Sequence, residues 1–185
     1  MADGAPVRIE SRRFILRSLA TGEYEEVQLA WLTDPITSRF MTPTEHTLEG
    51  VRNYVASHDN RSSFLLGIFD RNDGTFVGNH RALIDSKREW AQLGVLIGHR
   101  RYWGMGVLTE VRARVIDFLF TAVGVEGVVG RTVGRNLAVV ASYLAIGFRP
   151  VGVIGTLAVD GLERDIVEFR LTKEEWQHGN RTGGT

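Results

Sequence analysis

The chain has 185 residues and no cysteine, with 43% hydrophobic and 24% charged residues. That is the composition of a soluble globular domain, and it excludes a disordered or fibrous chain, a disulfide scaffold, cysteine-ligated metal and a cysteinyl acyl intermediate. Lys+Arg and Asp+Glu are both 22, so the net charge is zero and no basic excess marks a nucleic-acid binder.

One domain over 1–185 is expected, with loose tails at about 1–10 and 178–185. No apolar run reaches the roughly 20 residues of a membrane span, and the first residues lack the apolar stretch of a secretory signal, so a cytoplasmic location is expected. Residues 13–19 read as a strand. Thr21 can cap a helix to about Leu32 that Asp34-Pro35 ends, and a second helix is expected from about Thr47 to His58. Two strands, 63–70 and 75–85, flank the turn Arg71-Asn72-Asp73-Gly74, and a third covers 90–98. A loop at 99–106 opens a helix over 107–122, on which Val107, Val111, Val115, Phe118 and Leu119 share a face. A strand at 126–133 and a helix from Asn136 to Gly147 follow, and the two-residue turn Asp160-Gly161 closes a final hairpin. The order β-α-α-β-β-β-α-β-α-β-β implies an α+β fold: a mixed, mostly antiparallel sheet of six to seven strands with flanking helices.

The loop Arg101-Tyr102-Trp103-Gly104-Met105-Gly106 carries the most chemistry. Two glycines spaced i, i+2 let the backbone approach a ligand, and the first amides of the helix from Val107 have no internal partners, so loop and helix make an anion site suited to a pyrophosphate. Arg100 and Arg101 add positive charge there. The loop lacks the third glycine of a dinucleotide fingerprint and the Lys-Ser/Thr ending of a nucleotide loop. The five histidines are scattered without ligand spacing, and no metal site is expected.

This loop resembles the Arg/Gln-x-x-Gly-x-Gly/Ala signature of the GNAT superfamily of acyl-CoA-dependent N-acetyltransferases. The tract 102–111 is similar to the branch containing the ribosomal-protein N-terminal acetyltransferases. Asn136, Tyr143 and Gly147-Phe148 match that family's second block. The resemblance implies the acyl-CoA N-acyltransferase fold and acetyl-CoA as cosubstrate, with direct attack of a primary amine on the thioester in a ternary complex. It implies pantetheine along the backbone of Val95, Leu96 and Ile97, and pyrophosphate on Arg101, Trp103, Gly104, Met105, Gly106 and Val107. Asn136 would anchor the cofactor, and Tyr143, or less directly Ser142, would protonate the thiolate. The family's strand glutamate is replaced by Gln92, which leaves the general base open among Glu110, His80, Asp85, Glu89 and a water relay. The acceptor is a protein N-terminus or a small amine. A nucleotide-linked amino sugar and a non-catalytic acyl-CoA-binding module are the alternatives. No nucleic-acid or membrane partner is implied, and the protein is expected to be a monomer or homodimer.

Overall fold

The computed structural model describes residues 4–41, 45–159 and 161–182. Residues 1–3 and 183–185 of the expected tails, and Asp160 of the expected turn, lie outside them. Among the described residues one eight-stranded sheet forms, built of β1 Arg8–Glu10, β2 Phe14–Ser18, β3 Ser63–Asp70, β4 Phe76–Ile84, β5 Trp90–Ile97, β6 Gly127–Val133, β7 Arg149–Val159 and β8 Leu162–Thr172. Their spatial order is β1-β2-β3-β4-β5-β6-β8-β7. The helices are α1 Glu25–Thr33, α2 Leu48–Ala56, α3 Val107–Phe118, α4 Leu137–Ile146 and α5 Lys173–Thr182.

The eighth strand is β1, formed by residues expected in a loose tail. It pairs antiparallel with β2 and buries Ile9. Three residues are too few for alternation to register in a sequence. Thr21 does not cap α1. The helix starts at Glu25 instead, because the Glu23 carboxylate turns back to accept from the Ala20 amide at 2.9 Å and the Arg17 guanidinium at 2.8 Å. Thr47 does cap α2, its Oγ1 accepting from the Gly50 amide at 3.0 Å. The helix α5 was not expected. It docks through Trp176 Nε1, which donates to Asp117 at 2.8 Å.

Alternation along the strands sends one set of side chains to α3 and α4. Phe14, Leu16, Phe64, Leu66, Ile68, Val77, Leu93 and Val128 pack there with Val111, Val115, Ile116 and Leu119 of α3 and its continuation. The other face meets α1, where Asn79 Nδ2 donates to Gln28 at 3.0 Å and Trp31 stacks on Phe76 at 4.9 Å.

Every neighbouring pair is antiparallel except β5 and β6, which run parallel through the α3 crossover. They pair only where Trp90–Leu93 meets Gly127–Gly130. Beyond Leu93 and Gly130 the strands part, so Gly94–Ile97 of β5 and the end of β6 frame an open fork.

Candidate active site

A cleft of about 1220 Å³ occupies this fork and continues onto both faces of the sheet. Strand alternation decides which backbone groups of β5 look into it. The Asp85 amide donates to the Trp90 carbonyl at 2.9 Å, so the backbone groups of Trp90, Gln92, Gly94 and Leu96 are directed at β4, and those of Val95 and Ile97 at the fork. Trp103 Nε1 reaches the Ile97 carbonyl from the fork side at 2.7 Å. Leu96 therefore departs from the expectation placed on it: its backbone is committed to β4, and only its side chain lines the cleft.

The glycine loop lies at the mouth of the fork. Gly104 (φ +73°) and Gly106 (φ +72°) both adopt the left-handed conformation, which other residues enter only with strain. Among the described residues, nothing beyond the two chain neighbours lies within 4 Å of where a Gly104 Cβ would be, so the backbone there is open to a ligand. Gly106 is the N-cap of α3, and the first helical bond is made by the Glu110 amide to the Gly106 carbonyl. The amides of Val107, Leu108 and Thr109 precede it without helical partners, and those three residues line the cleft with Trp103. Arg101 and Met105 do not line the cleft. The Arg101 guanidinium lies near the Tyr102 ring at 5.9 Å, and the Met105 side chain is exposed while its carbonyl accepts from Arg13 at 2.8 Å. Arg100 is held by Asp34. Of the groups expected to hold phosphate here, the amides of Val107, Leu108 and Thr109 belong to residues that line the cleft, whereas Arg101 does not line it and Arg100 is paired with Asp34.

Tyr143 stands at the vertex. Its ring is 1% exposed, stacks on Phe169 at 5.1 Å and lies against Gly130, where a Cβ would overlap the phenol. Gly130 is the last β6 residue paired with β5, so the missing side chain is what admits the Tyr143 hydroxyl to the point where the strands part. Burial pushes this phenol above its ordinary value of 10, and the Arg112 cation opposes the shift. The Arg112 guanidinium carbon sits 3.9 Å over the Tyr143 ring, and its Nη1 donates to Ser142 Oγ. Arg112 Nε and Nη2 are buried with no hydrogen-bond partner among the described residues. Sequence reading missed this residue, which projects from the apolar face of α3 next to Val111. Asn136, expected to anchor the cofactor, makes no side-chain cap hydrogen bond to α4 and lines the cleft.

A buried guanidinium with no carboxylate costs stability. Arg112→Met, which keeps the stem and removes the charge, is expected to raise unfolding stability by about 1–3 kcal/mol. Urea denaturation of the two proteins checks this.

An acetyltransferase (GNAT) domain model matches residues 13–149. The chain belongs to the GNAT acetyltransferase family. It is 24% identical over 152 residues to the uncharacterized N-acetyltransferase YoaA of Bacillus subtilis (strain 168), covering 79% of this chain and 85% of that one. The ribosomal-protein-S5-alanine acetyltransferase of Vibrio fischeri superposes with a TM-score of 0.79 at 17% identity, covering 92% and 98% of the two chains. Mycobacterium smegmatis RimJ in complex with CoA-disulfide gives 0.80 at 20% identity, covering 100% and 98%. This GNAT protein is an acetyl-CoA-dependent N-acetyltransferase, and it transfers the acetyl group to an amine. The fork and the open glycine loop fit acetyl-CoA: the three amides that open α3 have no helical partners and would be free to take its phosphates, and the β5 edge beyond Leu93 is unpaired along the fork.

Four candidates for the general base of this GNAT enzyme lie off the cleft. Glu110 does not line the cleft. Its carboxylate accepts from Ser11 Oγ at 2.8 Å, the Arg13 amide at 2.7 Å and Arg13 Nε at 2.7 Å, tying α3 to the turn between β1 and β2. Burial raises its pKa, but these three bonds outweigh it and the net shift is downward from 4.5. Glu110 is an anchor rather than a base. With a depressed folded pKa, its contribution is fully present above pH 4.5 and is lost as pH falls through the lower folded value. Glu110→Gln is therefore expected to cost about 2 kcal/mol at pH 7 and to converge on the parent protein under acid conditions, as denaturation at a series of pH values would show.

His80 is fully buried on the α3 face, away from the cleft. Burial, reinforced by Arg112, drives its pKa to about 3, so it stays neutral at physiological pH. Asp85 and Glu89 lie in the β4–β5 turn, where the Glu89 amide donates to Asp85 at 2.9 Å, and neither lines the cleft. Gln92 does line it, on the α1 face, with its Oε1 3.4 Å from Arg131 Nη1. Among the described residues no group of three or more His, Asp or Glu could hold a metal ion.

Proposed function

We propose that this enzyme acetylates a primary amine, on a small molecule or a protein N-terminus, by direct attack within a ternary complex. The single observation that supports this best is the fork itself, with an unpaired β5 edge, a phenol at its vertex and access from both faces. Acetyl-CoA enters from the glycine loop with its pantetheine along the edge at Val95 and Ile97, and the thioester reaches the vertex. The Val95 amide, directed at the fork, is the donor for the developing oxyanion. The amine approaches from the α1 face. Its nitrogen forms a bond to the thioester carbonyl carbon, and collapse of the tetrahedral intermediate breaks the C–S bond. Tyr143 gives its proton to the departing sulfur, and the nitrogen loses one to water held near Gln92, from which the phenolate is reprotonated. A phenol is protonated at neutral pH, and although burial weakens it as an acid, the Arg112 cation over the ring opposes that shift and stabilises the transient phenolate.

Initial rates with acetyl-CoA and a panel of amines, following free thiol, test the reading. Lines that intersect as both substrates are varied are expected, because the chain has no cysteine and Ser142 Oγ is engaged by Arg112. Parallel lines would indicate an acyl-enzyme and overturn direct attack. Thiol release from an N-terminal peptide, a free amino acid or an amino sugar tells the acceptor classes apart.

A further inference from the structure

The acceptor side of the fork has a charge pattern that the transfer chemistry does not require. In the register of β4 and β5, Arg81 lies directly across from Gly94. On the other side, Leu93 pairs with Gly130, so the next residue of β6, Arg131, comes level with Gly94 where the strands begin to part. Two guanidinium side chains thus flank one glycine at the vertex, on the face opposite α3. The Arg81 side chain lies over that glycine, and a Cβ on Gly94 would stand 3.3 Å from Arg81 Nε.

The two arginines are committed differently. Arg131 Nε binds Glu168 at 2.9 Å, a carboxylate also bound by Arg170 at 2.7 Å, so one negative charge serves two positive ones. Arg81 forms no ion pair among the described residues, and its buried Nε has no hydrogen-bond partner. Elsewhere around the site, Arg13, Arg17 and Arg100 each have a carboxylate. The described residues lining the cleft include three arginines, Arg39, Arg81 and Arg131, and one acidic side chain, Glu45. An unsatisfied buried donor on an uncompensated guanidinium is costly unless a ligand completes it. A planar fork of donors matches a carboxylate or phosphate.

We propose that the acceptor is an amine carrying an anionic group, a carboxylate or a phosphate, which Arg81 binds over Gly94 with Arg131 beside it. The inference rests on the proposed transfer at the fork and adds the class of acceptor. It disfavours a polycationic amine, which would meet the same two guanidinium groups.

Matched acceptors test it: glycine against glycinamide, 4-aminobutyrate against 4-aminobutanamide, and glucosamine 6-phosphate against glucosamine, each with acetyl-CoA and the full chain. At least one anionic member should exceed its neutral partner in kcat/KM by about 10–100-fold. The amino-acid pairs and the sugar pair show whether the anion is carboxylate or phosphate. Arg81→Met should abolish most of that ratio, chiefly through KM, while Arg81→Lys restores part of it and CoA affinity by calorimetry stays the same in both. Equal rates within every pair, preference for the neutral members, or a ratio that survives Arg81→Met would overturn the proposal. CoA binding with turnover of neutral amines alone would sink this inference and leave the transfer reading standing. Absence of CoA binding would remove both.

Discussion

Tyr143→Phe is expected to lower kcat by about 10²–10⁴-fold, the usual worth of a positioned general acid, with CoA affinity and thermal stability little changed. The substitution deletes only the hydroxyl. The ring keeps its stacking on Phe169 and its contact with Phe148, whose centroid is 4.8 Å away. An acyl donor with a less basic thiolate should narrow the deficit, because that sulfur needs its proton less. Full turnover in the variant, or parallel loss of stability and activity, would make Tyr143 a packing residue. Arg112→Met gives a second reading of the same step. It should slow turnover while strengthening the fold, since the cation over the ring favours the phenolate at the expense of an unpaired buried charge.

Gly104→Val should weaken CoA binding by at least about tenfold, corresponding to roughly 1.4 kcal/mol. Two effects act together. A β-branched residue resists φ +73°, and its side chain projects into space that is open in the structure and that the phosphates would use. Because no described residue beyond its two chain neighbours lies within 4 Å of the new Cβ, the variant should fold, and calorimetry can measure its affinity. Unchanged affinity in a folded variant would remove the loop from the cofactor site.

The loop and Tyr143 were legible in the sequence because each belongs to a short, ordered motif. The strands β3 to β6 were legible because alternation and turn residues punctuate them. Other features depend on distant parts of the chain. The fork exists because pairing of β5 with β6 stops at Leu93 and Gly130, a fact about two strands separated by a helix. Gly130 reads as one more glycine until Tyr143 is seen against it. Glu110 lies in the cofactor helix and could be read as a base, but Ser11 and Arg13, nearly 100 residues earlier, claim its carboxylate. Arg81 and Arg131 look like ordinary polar positions in their strands, and only the register aligns them across Gly94. Strand β1 was missed for its length, and Leu96 was grouped with its neighbours because sequence does not give the phase of strand hydrogen bonding.

A crystal structure with bound CoA tests the central claim most directly. The account predicts pyrophosphate on the amides that open α3, pantetheine along the β5 edge at Val95, and the sulfur within hydrogen-bonding reach of the Tyr143 hydroxyl at the vertex beside Gly130. A sulfur that ends away from that vertex, or a pantetheine that does not enter the space between β5 and β6, would contradict it.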